Sequence, residues 1–124
     1  MVAIRGANDV TANTVEAILA ATTTMIESVM TANHLKDEDM ISIFFSCTKD
    51  LDAVYPAVAA RQMGIVNASL MCGQEMYVQG SLPMCVRLLM HVDKDMAQKD
   101  VQHIYLGKAA NLRPDLMMEA LEND

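Results

Sequence analysis

The rhythm of apolar and polar positions changes several times along the chain, and each change marks an element. Residues 2–6 form a short apolar run closed by Gly6, which predicts a first strand. Farther on, Val15, Ile18, Leu19, Met25, Ile26, Val29 and Met30 recur at steps of three and four. Such spacing gathers them on one face of a helix. Asn13 with Glu16 three residues on has the spacing of a capping box, so the helix is expected to begin there. Asn33, a residue that tolerates left-handed backbone, is expected to stop it. Residues 36–39 are a charged turn. Residues 40–47 are apolar, rich in Ile and Phe, and short enough for a buried strand. A polar turn at 48–52 leads to Pro56, which suits the first turn of a second, short helix ending at Gly64. A third strand is expected over 66–72, followed by an irregular loop over 73–80.

Residues 86–92 alternate. Val86, Leu88, Met90 and Val92 point one way, and Arg87, Leu89 and His91 the other. A polar connection over 93–100 precedes a short last strand at 103–106. Pro114 ends regular structure, and the chain from about residue 115, with its acidic end, is expected to be mobile. The pattern predicts one α+β domain spanning 1–124, a mixed β-sheet with helices on one side.

Composition sharpens this picture. The 124 residues suit a single domain. Hydrophobic residues make up 52%, aromatics only 4%, and twelve methionines fill part of the apolar share. A short chain has little interior in which to bury so much apolar surface, which points to an oligomer. The net charge of −7 argues against nucleic acid or an anionic membrane as partner. There is no span of about eighteen or more apolar residues, so no transmembrane helix is expected, and there is no signal-peptide pattern at the start. A cytoplasmic protein is expected. Cys47, Cys72 and Cys85 are odd in number and lie in or beside apolar runs, which reads as reduced thiols. The sequence has no C-x-x-C and no Cys/His cluster, so no metal site is expected.

The arginines carry the chemical interest. Arg87 sits in the middle of an apparent core strand, where an unpaired guanidinium would cost several kcal/mol, so an anion should meet it. Arg5 ends the first strand beside Gly6. Glu75 is the matching oddity among the acids, in Leu70-Met71-Cys72-Gly73-Gln74-Glu75-Met76 directly after a strand. Glu75 and Arg87 either form a structural salt bridge or line a pocket for a polar anion. Tyr105 either adds a hydroxyl to that pocket or is an ordinary half-buried sheet tyrosine. His34, His91 and His103 show no metal spacing and read as structural or surface residues. Cys72 has no His partner nearby in sequence, and no Ser-His-Asp pattern occurs. Neither a Walker nor a dinucleotide fingerprint is present.

These residues fall within a wider resemblance. Ile4-Arg5-Gly6-Ala7, Asn33-His34, Asp50-Leu51-x-Ala53-Val54-Tyr55-Pro56-Ala57, Cys72-x-Gln74-Glu75-Met76, Cys85-Val86-Arg87, Tyr105-Leu106 and Leu112-Arg113-Pro114-Asp115-Leu116 together resemble the AroH class of chorismate mutases. The resemblance covers nearly the whole chain. It implies a ferredoxin-like, pseudo-α/β-barrel homotrimer with active sites between subunits. It also implies a Claisen rearrangement of chorismate to prephenate, in the synthesis of Phe and Tyr, without metal, cofactor or covalent intermediate. By the same resemblance Arg5 and Tyr105 would bind a substrate carboxylate, Arg87 would face the breaking ether bond, and Glu75 would accept from the ring hydroxyl with Cys72 beside it. Tyr55 and Ala57 would line the pocket from the neighbouring subunit. Leu70 and Met71 would line it too, Arg61 would stand near its entrance, and Leu112 and Arg113 would belong to a segment that orders over ligand. Val58 stands where the family has Lys at the pocket rim, and Met71 where Thr is familiar.

Two other functions fit the same features less closely. One is a trimeric sensor that binds a small anion. The other is a trimeric enamine/imine deaminase, which also binds carboxylates through arginine. The segments 72–76 and 112–116 favour the mutase. The separate, all-helical class of chorismate mutases is excluded by the strand content.

Overall fold

The computed structural model describes residues 1–111. Within them the order is β1 (Val2–Asp9), α1 (Val15–Ala32), β2 (Met40–Cys47), α2 (Ala57–Gln62), β3 (Ser69–Gln74), β4 (Cys85–Val92) and β5 (Ile104–Tyr105). Short 3-10 turns occupy Asp37–Asp39, Gln98–Asp100 and Gly107–Asn111. The strands make one mixed sheet in the order β3-β2-β4-β1-β5. β4 runs antiparallel to both β1 and β2, while β3 is parallel to β2 and β5 to β1. β1-α1-β2 is therefore a split βαβ unit, two parallel strands with β4 inserted between them.

One face of the sheet is the core. α1 buries Ile18, Thr22, Met25, Ile26 and Val29 in a cluster with Val2, Ile4, Ile43, Phe45, Val86, Leu88 and Met90. Thr22 interrupts the apolar stripe without leaving a bare hydroxyl, because its Oγ1 donates to the Ile18 carbonyl at 2.7 Å. Gly6 lets the helix come this close. A Cβ there would lie 3.2–3.3 Å from Val29, Leu88 and Met25. α2 continues the layer, with Ala57, Ala59 and Ala60 buried. The α+β architecture with helices on one face is thus as expected.

By length and mean hydropathy (1.2), α1 is apolar enough to cross a membrane, a property that the count of unbroken apolar residues misses. Its stripe faces the sheet, and Glu16 and Glu27 stand on its exposed side.

The elements differ from expectation at their ends, for identifiable reasons. α1 is capped by Thr14, not Asn13: the Thr14 hydroxyl accepts from the Ala17 N–H at 3.1 Å. Asn13 is engaged elsewhere, bound to the backbone N–H groups of Asp52 and Ala53 and to the Asp52 carboxylate. Asn33 does end the helix, but not in a left-handed conformation. Its side chain bridges the Val29 and Gln102 carbonyls, and His34 takes the positive φ of 55°. β1 runs three residues past Gly6, because β4 supplies partners up to Cys85. β3 starts at Ser69 rather than 66, because β2 pairs with it only from Ser42 onward; Val66 is 79% exposed.

Among the described residues the opposite face is mostly open. A small cluster of Ala7, Cys85 and Ala109, with Leu82 and Tyr105 against it, closes one end. The turn Gly107–Asn111 makes that cover. Gly107 has φ +56°, and a Cβ there would collide with the Asp9 carboxylate.

Candidate active site

Strand register assembles the open face. Pairing puts Gly73, Ser46, Arg87, Ala7 and Tyr105 in one row across all five strands. Two residues along lies a second row of Met71, Phe44, Leu89 and Arg5. Side chains two apart on a strand share a face, so both rows project away from the helices. The alternation of β4 puts Arg87 here, which resolves the difficulty of a guanidinium in a core strand. Its side chain is 39% exposed.

Arg5, Arg87 and Tyr105 line one cleft of about 210 Å³, together with Phe44, Ser46 and Leu89. Glu75 stands at its edge. The Glu75 N–H donates to the Cys47 carbonyl at 2.8 Å, which pins the residue just beyond the end of β3. Its Oε1 accepts from Ser46 Oγ at 2.6 Å and lies 3.9 Å from Arg87 Nε. Arg87 and Glu75 thus form an ion pair that is too long for a hydrogen bond. Arg5 is held through its backbone N–H, which donates to His103 Nδ1 at 3.0 Å. Burial lowers the pKa of His103, which keeps that acceptor neutral.

A second, larger cleft of about 610 Å³ opens between β3 and the segment leading into α2. Tyr55 and Cys72 line it, with Lys49, Asp52 and Gln74 among their neighbours. Lys49 Nζ sits 3.9 Å from the centre of the Tyr77 ring, a cation–π contact. Burial pushes the Cys47 thiol up to about 11. Burial also raises the Cys85 thiol, against the pull of the Arg87 guanidinium. Both thiols are protonated near neutral pH, which disfavours them as nucleophiles.

The remaining expected site residues are more scattered. Ala57 is 3% exposed, packed in the core. Leu70 is half-buried against that core, and Met71 is 66% exposed on the open face. Arg61 is exposed on α2, and Val58 is half-buried one turn before it. None of these five lines either cleft. Leu112, Arg113 and the chain from 115 onward lie outside the described residues. Ser46 was missed by the sequence reading, although the logic that singled out Arg87 applies to it: a polar residue inside an apolar strand.

Two cations and a phenol beside a carboxylate can bind an anion that also carries a hydroxyl. Such a site can hold a substrate in one conformation and meet charge that develops on it.

Comparison with known proteins agrees with this chemistry. The family described as chorismate mutase type I matches residues 1–116. The chain is 42% identical over 116 residues to the chorismate mutase AroH of Bacillus subtilis (strain 168), covering 93% of this chain and 91% of that protein. It is 40% identical over 114 residues to the chorismate mutase AroH of Thermus thermophilus, covering 91% and 93%. Among solved structures it resembles a chorismate mutase from Clostridium thermocellum, with a TM-score of 0.86 and 47% identity, over 87% of this chain and 96% of that one.

Proposed function

Because the chain belongs to the type I chorismate mutase family, we propose that the strip of Arg5, Arg87 and Tyr105, with Glu75 at its edge, is the seat of the family reaction. The enzyme isomerises chorismate to prephenate by an intramolecular Claisen rearrangement, a step of aromatic amino-acid biosynthesis. The anion-sensor and deaminase readings give way to it.

In this reading the site is composite and the protein a homotrimer. Arg5, Arg87 and Tyr105 come from one subunit, and the wall carrying Tyr55 and Cys72 comes from its neighbour, with Ala57, Leu70, Met71 and Arg61 behind or around it. The exposed apolar row of Met71, Phe44 and Leu89 supports assembly through the open sheet face. Single exposed apolar residues are ordinary, but a contiguous strip across three strands is what an interface buries. Leu112 and Arg113 would close over ligand from the segment beyond residue 111. The cytosol suits the three free thiols.

Chorismate must be held with its enolpyruvyl chain folded over the ring. Cations on its carboxylates and Glu75 on its hydroxyl would restrict it to that shape. The C–O bond breaks ahead of C–C formation, so negative charge grows on the ether oxygen. A donor fixed there binds the transition state more tightly than the substrate, and Arg87 has that role. All bond changes stay within one molecule and no proton moves, so the chemistry requires no metal, cofactor or nucleophile.

The observation that carries this reading is the single cleft shared by Arg5, Arg87 and Tyr105. The test is to incubate purified protein with chorismate and follow loss of its ultraviolet absorbance. Turnover inhibited by an oxabicyclic transition-state mimic is the expected result. Turnover that survives saturation with the mimic would remove this cleft from the reaction.

A further inference from the structure

Ser46 has no place in the reading above, yet it stands between the two groups that matter most. It is the cross-strand partner of Arg87 on β4, and its hydroxyl donates to Glu75 on the other side. Glu75 lies one residue past the end of β3, where the Cys47 carbonyl holds its backbone N–H. Two donors are near its Oε1: Ser46 Oγ at 2.6 Å and Arg87 Nε at 3.9 Å.

We infer that Ser46 is a positioning residue, which holds the Glu75 carboxylate on the hydroxyl acceptor's station and keeps it off the Arg87 guanidinium. The inference rests on the proposed roles of Glu75 and Arg87. A carboxylate beside a guanidinium tends toward the bidentate, fork-to-fork pair. That collapse would occupy the planar edge of Arg87 that has to face the ether oxygen, and would turn Glu75 away from the ring hydroxyl. The Ser46 bond opposes it, because hydrogen bonds from a neutral donor to a charged acceptor are short and strong. At 3.9 Å the ion pair keeps its electrostatic attraction without consuming a guanidinium hydrogen bond.

The experiment is a double-mutant cycle between Ser46→Ala and Glu75→Gln, with Ser46→Thr as the conservative variant. All are assayed for kcat and KM with chorismate and melted to check the fold. Ser46→Ala lowers kcat/KM on the order of tenfold, as loss of one hydrogen bond to a charged group does, with most of the loss in kcat. Ser46→Thr keeps the hydroxyl and restores most of the activity, and its branched Cβ suits a strand. In the Glu75→Gln background, Ser46→Ala adds less than about twofold, because a residue acting through Glu75 has nothing left to position.

Ser46→Ala with unaltered kcat/KM overturns the inference while leaving the site intact. Full additivity in the cycle also overturns it, because Ser46 would then act independently of Glu75. Failure of the site itself looks different: Glu75→Gln alone would turn over like the wild type.

Discussion

Replacing Arg87 with Ala tests the reading at its centre. The side chain stands in the row between Ser46 and Ala7, shares a cleft with Arg5 and Tyr105, and pairs loosely with Glu75. If Arg87 has the proposed role, its removal has two consequences. The developing charge on the ether oxygen loses its donor, which in closed sites costs about 3–4 kcal/mol, on the order of a thousandfold in kcat. Glu75 also loses its counter-charge and faces an anionic substrate unneutralised, which weakens binding as well. The side chain is 39% exposed in the single chain, so the full penalty requires a neighbouring subunit to exclude water from the cleft. Arg87→Lys separates charge from geometry. An ammonium keeps the charge but not the planar fork, so a loss of about one to two orders of magnitude is expected. Chorismate loss at saturating substrate gives kcat, and circular dichroism with thermal melting shows whether the fold persists. A folded Arg87→Ala enzyme within tenfold of wild-type kcat would refute the electrostatic argument, and a Lys variant equal to wild type would refute the requirement for the fork.

Phe44→Glu puts a charge into the exposed apolar row at a position 41% exposed, so the single chain should fold while the proposed assembly, and turnover with it, are lost. Light scattering measures the mass, and a trimer that persists in the variant would remove this face as the interface. Burial holds the pKa of His103 below its ordinary value of 6.5 while its Nδ1 accepts the Arg5 N–H. Folding thus favours the neutral ring: that stability is present above pH 6.5 and is lost as pH falls through the folded-state pKa. His103→Gln offers an acceptor that does not titrate and should flatten the Tm decline between about pH 7 and 5; equal slopes in both proteins would contradict this. Gly6→Ala introduces a Cβ 3.2–3.3 Å from three core side chains, an overpacking that costs roughly 1–3 kcal/mol. The Tm at fixed protein concentration should drop by roughly 3–5 °C for each kcal/mol, and no drop would mean that α1 moves aside at little cost.

Much of this molecule is legible along the chain. β2 falls on Met40–Cys47 as its apolar run predicts, and the alternation of β4 puts Arg87 opposite the core. Both are local properties: apolar runs and side-chain alternation need no distant partner to be read. Which cap wins at α1 is not local. Asn13 and Thr14 are both competent, and Asn13 is drawn away by the backbone of Asp52 and Ala53, about forty residues distant. The ends of β1 and β3 are set by where β4 and β2 stop offering partners, which no window of sequence contains.

The site divides in the same way. Arg87 and Glu75 stand out in the sequence because a charge in or beside an apolar strand needs a reason, and Arg5 does so in a milder form. The meeting of Arg5, Arg87 and Tyr105 in one cleft, and the place of Ser46 beside Arg87, come from strand register. Register is a property of pairing between strands far apart in the chain. The sequence by itself could name the charges, and only the folded sheet could decide which of them face one another.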